Sequence, residues 1–236
     1  MVINSTLLRT THHFLQQHAF YPLFLASCIA GMMLIGRVIF GQSLAYAHMV
    51  WNLFLAWVPY ICSLYISWRS QRTQRQWRLV VPALMWLSFL PNAPYLVTEY
   101  IHLLEIPSFA LWYDIVMLTT FAWVGCVLAV ASLRMMHEVA QSMFGLVRGW
   151  LLVLSVIALS GLGVYLGRFL RWNSWDLLLN PHHVVGDVAL RLADPLAYPG
   201  AWGVTLMFSA LLLVCYLCFT ALHPRRPFPK ERFERA

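Results

Sequence analysis

Six long apolar stretches, separated by short polar ones, make up most of this chain. Residues 20–40, 46–68, 79–104, 112–136, 150–171 and 200–222 are each long enough, at about 20 residues or more, to cross a bilayer core of about 30 Å as a helix. The pattern predicts an all-α fold, a polytopic membrane helix bundle of six transmembrane helices. The polar stretches are short except for residues 172–199, which read as an outer loop. Within that loop, residues 184–194 form a short amphipathic helix, with Asp187 four residues ahead of Arg191 in the favourable pairing order. Residues 1–19 carry His12, His13, Gln16, Gln17 and His18 but no apolar core or small-residue cleavage site. They read as a cytoplasmic N-terminal segment rather than a removable signal peptide. Residues 223–236 read as a basic, disordered cytoplasmic tail beside anionic lipid.

The third apolar run is interrupted. In "FLPNAPYLVTEYIH", Phe89 to His102, Pro91 and Pro94 lack amide protons and crowd the carbonyls one turn earlier. Leu90 and Ala93, each preceding a proline, are expected to leave the α region. The third helix is therefore predicted to be broken at Pro91–Pro94, with one half ending near Phe89 and the next starting around Pro94 in its tolerated first turn. Asn92 is placed to cap the freed backbone groups. Such groups persist at membrane depth only when buried in protein or facing a wet cavity.

Charge placement sets the orientation. Arg69, Arg72, Arg75 and Arg78 fill the second connection, and Arg225, Arg226, Lys230, Arg232 and Arg235 fill the tail. Arg9, Arg134 and Arg148 flank the remaining boundaries on the same side, so both termini are expected in the cytoplasm of an inner-membrane protein. A third segment that dipped in and returned would turn the Arg-rich tail outward, so this segment is read as crossing.

Composition agrees. The chain is 61% hydrophobic and only 11% charged, against roughly a quarter charged in a soluble domain. Its net charge of +7 is topogenic, so no nucleic-acid partner is implied. The five cysteines all lie in apolar runs and imply no disulfide framework, and Cys215-x-x-Cys218 reads as two small apolar residues on a membrane helix. His182 and His183 read as solvated loop residues, and Ser160–Gly161 as a small-residue contact.

Beyond the break, Asn92, Tyr95, Glu99, His102 and Glu105 recur at helical spacing and form a polar stripe. A glutamate facing lipid would cost a few kcal/mol, so the stripe faces inward. Asp114 follows Trp112 and Tyr113 at the start of the fourth span. Arg168 and Arg171 stand three apart at the outer end of the fifth, after Gly163 and Gly167, which permit close helix approach. Asn173 to Asp176 reads as a capped helix start. Arg37, His48 and Asn52 lie towards the outer ends of the first two spans.

Three readings of this outer cluster are open. Glu99 and Asp114 could neutralise Arg168 and Arg171 as structural ion pairs, as in a non-catalytic membrane scaffold or assembly partner. Asn92, Tyr95, Arg168 and Arg171 could instead bind an anionic small molecule or lipid headgroup, for transport or headgroup chemistry. Glu99, His102 and Asp114 are then the candidate catalytic acids and bases. In the third reading, Glu99, His102 and Asp114 bind a divalent metal. The Glu-x-x-His motif occurs once where carboxylate metal sites use it twice, and nearby arginines oppose a cation, so no metal is assigned. No cofactor and no nucleophilic motif is indicated. Candidate partners are the lipid bilayer, an anionic lipid or small molecule on the outer side, and a second copy of the chain.

The segments "FLPNAPYLVTEYIHL", "WYDI" and "LSGLGVYLGRFLRWNSWD", in that order and spacing, resemble the bacterial membrane-protein family catalogued as domain of unknown function 1361. The resemblance covers about residues 50–222. It implies a multi-span cytoplasmic-membrane protein and supplies no catalytic assignment, so the residues named above rest on depth and register alone.

Overall fold

The structure is a computed structural model that describes residues 2–70, 76–104 and 110–222. Glu105 of the polar stripe, Arg72 and Arg75, and the tail from residue 223 lie outside the described residues. Helix α1 (Val2–Gln17) precedes α2 (Phe20–Gly41) and α3 (His48–Ser70). The third span comprises a turn of 3-10 helix, α4 (Val80–Phe89), α5 (Asn92–Tyr95) and a second 3-10 helix, Leu96–Leu103. Then follow α6 (Leu111–Phe144), α7 (Leu146–Phe169), the short α8 (Asp176–Leu179), α9 (Pro181–Ala193) and α10 (Pro199–Leu222). Among the described residues there is no strand, and six segments are long and apolar enough to cross a membrane. The protein is thus an all-α, multi-pass membrane protein whose lipid environment follows from its surface. Phe24, Leu25, Met32, Ile35 and Ile39 of α2 are exposed, which only an apolar solvent tolerates in such number.

Helix α6 is the axis of the bundle. It packs against α2, α3, the broken third span, α7 and α10, and Met117, Leu118, Phe121 and Leu128 along it are fully buried. Polar side chains deep in the core are bonded to one another. Trp86 Nε1 donates to Ser132 Oγ at 2.7 Å, and Ser132 Oγ donates to the carbonyl of Pro59 at 3.2 Å, tying α4, α6 and α3 together. Glycines set the closest approaches. A Cβ on Gly161 would lie 2.3 Å from Thr205 O, so α7 and α10 touch backbone to backbone at the Ser160–Gly161 pair.

Two features depart from the expected outline. The polar N-terminal segment forms helix α1 and packs back on α2, where His12 meets the ring of Tyr21 at 5.2 Å, and Tyr60 of α3 donates to His18 O at 2.7 Å. The fourth span does not stop near residue 136. It continues to Phe144, and Gly145 alone, at φ 87, turns the chain into α7. The extension holds because it is not a solvated loop: His137, Val139 and Ala140 are buried, and His137 Nδ1 meets the Tyr216 hydroxyl. The left-handed turn needs a residue without Cβ, which Gly145 supplies.

Candidate functional site

The break in the third span is real but gentler than the prolines alone suggest. Helix α4 ends at Phe89 and the chain resumes at Asn92, with Pro94 in the first turn of α5. Leu90 does not leave the α region; it stays at φ −56, ψ −38, and Pro91 at φ −59, ψ −23. What changes is the hydrogen-bond ladder. Ala93 N donates to Leu90 O at 3.1 Å, a tighter 3-10 pairing that satisfies the carbonyl Pro94 cannot reach. Asn92 Nδ2 donates to Phe89 O at 2.9 Å and to Ser174 Oγ at 2.7 Å, so it caps the break and fastens it to the loop after α7.

The tightened winding continues as 3-10 helix through Leu103, so the stripe is redistributed. With three residues per turn, Glu99 and His102 eclipse one another, while Asn92 and Tyr95 occupy a neighbouring face. Helix α7 closes against both faces. A Cβ on Gly163 would stand 2.5 Å from Pro91 Cγ, and Gly167 faces the Tyr95 ring at ordinary contact.

Glu99 is fully buried and is the hub of the site. Its Oε1 accepts from Asn52 Nδ2 at 3.1 Å and lies 3.8 Å from Arg168 Nη1. Its Oε2 lies 2.7 Å from His48 Nε2 and 3.3 Å from His102 Nε2. Arg168, in the last turn of α7 where a cation suits the helix dipole, reaches Tyr95 Oη at 3.4 Å and His102 Nε2 at 3.4–3.5 Å. Glu99, His102, Tyr95 and Arg168 are thus brought together, joined by His48 and Asn52.

Asp114 and Arg171 are not part of that group. Asp114 accepts from Arg37 Nε at 2.6 Å in a pair that is almost wholly inaccessible, at 2% and 0% exposed, and it locks α6 to α2. Arg171 does not continue the helical face of Arg168, because α7 ends at Phe169 and Arg171 turns left-handed at φ 59 to close it. The Trp172 N–H then returns to Leu166 O at 3.2 Å, and Arg171 is exposed. Tyr46, in the loop between α2 and α3, links the two clusters electrostatically. Arg37 sits over its ring at 5.6 Å, and burial, then the Asp114 carboxylate, raise its pKa, with Arg37 opposing and Glu99 adding.

Beside the Glu99 cluster lies a cavity of about 340 Å³ between α3, the broken span, α7 and α9. Asn52, Tyr95, Asn92 and Ser174 are among its polar walls, and Leu55, Leu159, Leu162, Val185 and Val188 are among its apolar walls. Leu159, Leu162 and Val188 are shared with a second cavity of about 250 Å³ that runs on between α7, α9 and α10. Helix α9 covers both. Trp172 Nε1 holds it by donating to Asp187 Oδ2 at 2.8 Å, and the Asp187–Arg191 pair at 3.1 Å stabilises the helix itself. Asp176 Oδ2 accepts from Asn173 N at 2.7 Å at the start of this covering segment. His182 and His183 are exposed in the first turn of α9.

His48 and Asn52 belong to the site although depth and register along the third to fifth spans do not predict them. They stand four apart at the start of α3, and that i, i+4 spacing at the depth of Glu99 was the available signal. A family model described as "Protein of unknown function (DUF1361)" matches residues 51–215. No curated protein and no solved structure matches the chain.

Proposed function

The chain belongs to the family of proteins of unknown function DUF1361, and from that premise we propose that its cavity binds an amphiphile with an anionic headgroup. The headgroup lies at Tyr95, a wall of the cavity whose hydroxyl Arg168 approaches to 3.4 Å from just outside the lining, and the alkyl part lies along the leucines and valines beneath α9. The observation that carries this reading is the state of Arg168. Its nearest carboxylate oxygen is 3.8 Å away and its other contacts are 3.4–3.5 Å. A guanidinium with so loose a shell retains capacity for a bidentate oxyanion. The cavity volume falls within the roughly 300–1,000 Å³ usual for small-molecule sites. The Arg-rich side at Arg69 and Arg78 supports placing both termini in the cytoplasm, with the cluster opening outward from the inner membrane. Transport and headgroup chemistry are both compatible with this placement; in the second, Glu99 or His102 would serve as acid or base.

A scaffold reading, with every charge structural, is favoured by one observation, the Arg37–Asp114 pair. The two readings are separated by lipid and metabolite extraction from purified wild type and Arg168→Ala, followed by untargeted mass spectrometry. An anionic amphiphile retained by the wild type and depleted at least tenfold in Arg168→Ala supports binding. Identical extracts from the two proteins sink it in favour of the scaffold.

A further inference from the structure

We infer that His48, Glu99 and His102 form a binding site for a divalent transition-metal ion of the zinc class. The donor atoms of the three residues lie within 4.8 Å of one another. They come from two elements that the fold presses together, the start of α3 and the 3-10 half of the third span. Two imidazoles and one carboxylate make up the His₂Glu donor set that holds zinc where a coordination position is left open. Zinc bonds of about 2.0–2.1 Å in a tetrahedral shell separate ligand atoms by about 3.4 Å. Here His102 Nε2 stands 3.3 Å from Glu99 Oε2 and His48 Nε2 stands 2.7 Å from it, so small side-chain rotations admit the ion.

The surroundings resemble those of a metal ligand more than those of a simple ion pair. The Glu99 carboxylate is oriented from behind: Asn52 donates to Oε1 and leaves Oε2 turned towards the two imidazoles, while Arg168 stays 3.8 Å from Oε1, outside hydrogen-bond reach. Outer partners of this kind fix the ligands of protein metal sites. Arg168 is the one cation that opposes the ion among the described residues of the cluster. Its contacts to His102 Nε2, at 3.4–3.5 Å, are long enough to be given up. Asp114 has no place in this site, because Arg37 engages it elsewhere.

The test is titration of the purified, chelator-treated full chain in nanodiscs with Zn²⁺ alone and Co²⁺ alone. One equivalent is expected, with nitrogen ligation visible in the Co²⁺ optical spectrum and by X-ray absorption. His48→Ala and His102→Ala are expected to weaken binding about 100-fold, and Asn52→Ala, a positioning change, about 10–100-fold. His48 is 40% exposed, so its truncation spares the fold. Absence of a stoichiometric ion in the wild type, or binding undiminished in both histidine variants, overturns the assignment. The metal site stands independently of the amphiphile site: Arg168→Ala should retain Co²⁺ while losing the anionic amphiphile. Failure of either result is therefore assigned to its own reading.

Discussion

Arg37→Met is expected to destabilise the protein by about 3–5 kcal/mol, because it removes the cation that meets the Asp114 carboxylate at 2.6 Å in a site with no access to water. Arg37 and Asp114 are 2% and 0% exposed and meet at 2.6 Å, so neither can recover solvent after the other is removed. Asp114→Leu alone should cost a similar amount by removing the carboxylate that Arg37 meets at 2.6 Å. The double variant Arg37→Met/Asp114→Leu should lie closer to the wild type than either single change, since desolvation of both charges is relieved together. Unfolding midpoints in one detergent, compared across the four proteins, give the answer. A single variant within about 0.5 kcal/mol of wild type would show that the pair is solvated and does not hold α2 to α6.

Gly125→Ala is expected to cost about 1–3 kcal/mol and to disturb the Glu99 cluster without touching it. The added Cβ would lie 2.4 Å from the carbonyl oxygen of Ala93 and 2.8 Å from Leu96 Cδ1. The neighbour is backbone on the broken span, so it cannot rotate away as a flexible side chain would. Displacement of Ala93 moves the 3-10 segment that carries Glu99 and His102, so Co²⁺ affinity should fall together with the unfolding midpoint. Gly203→Ala on α10 is the control, since nothing stands within 4 Å of its added Cβ. It should be neutral or slightly stabilising in both measurements. Equal behaviour of the two variants would refute close packing of α6 on the break.

The membrane spans were legible because hydrophobic length is a property of each segment by itself. Pro91 and Pro94 revealed the break for the same reason, since a missing amide proton is local. The hydrogen-bond repair was less legible. Leu90 stays helical because Ala93 N takes the Leu90 carbonyl that Pro94 abandons, while Asn92 Nδ2 takes the Phe89 carbonyl that Ala93 thereby leaves and also bonds Ser174 in a distant loop. Arg171 was misplaced by extending the helical period two residues past the end of α7. Partner choice was the least legible. Nothing in the local sequence indicates that Asp114 takes Arg37 while Glu99 takes His48 and Asn52, because those pairings join elements far apart in the chain.

The single-residue link at Gly145 gives α6 and α7 the form of a tuning fork. Its two tines are joined at the Arg-rich side, and their tips carry Asp114 and Arg168 at the other. With no slack at the base, the tines cannot slide independently along the bundle axis. The Arg37 clamp on one tip and the Arg168 contacts on the other are thus held to one level of the bundle by the base the two tines share.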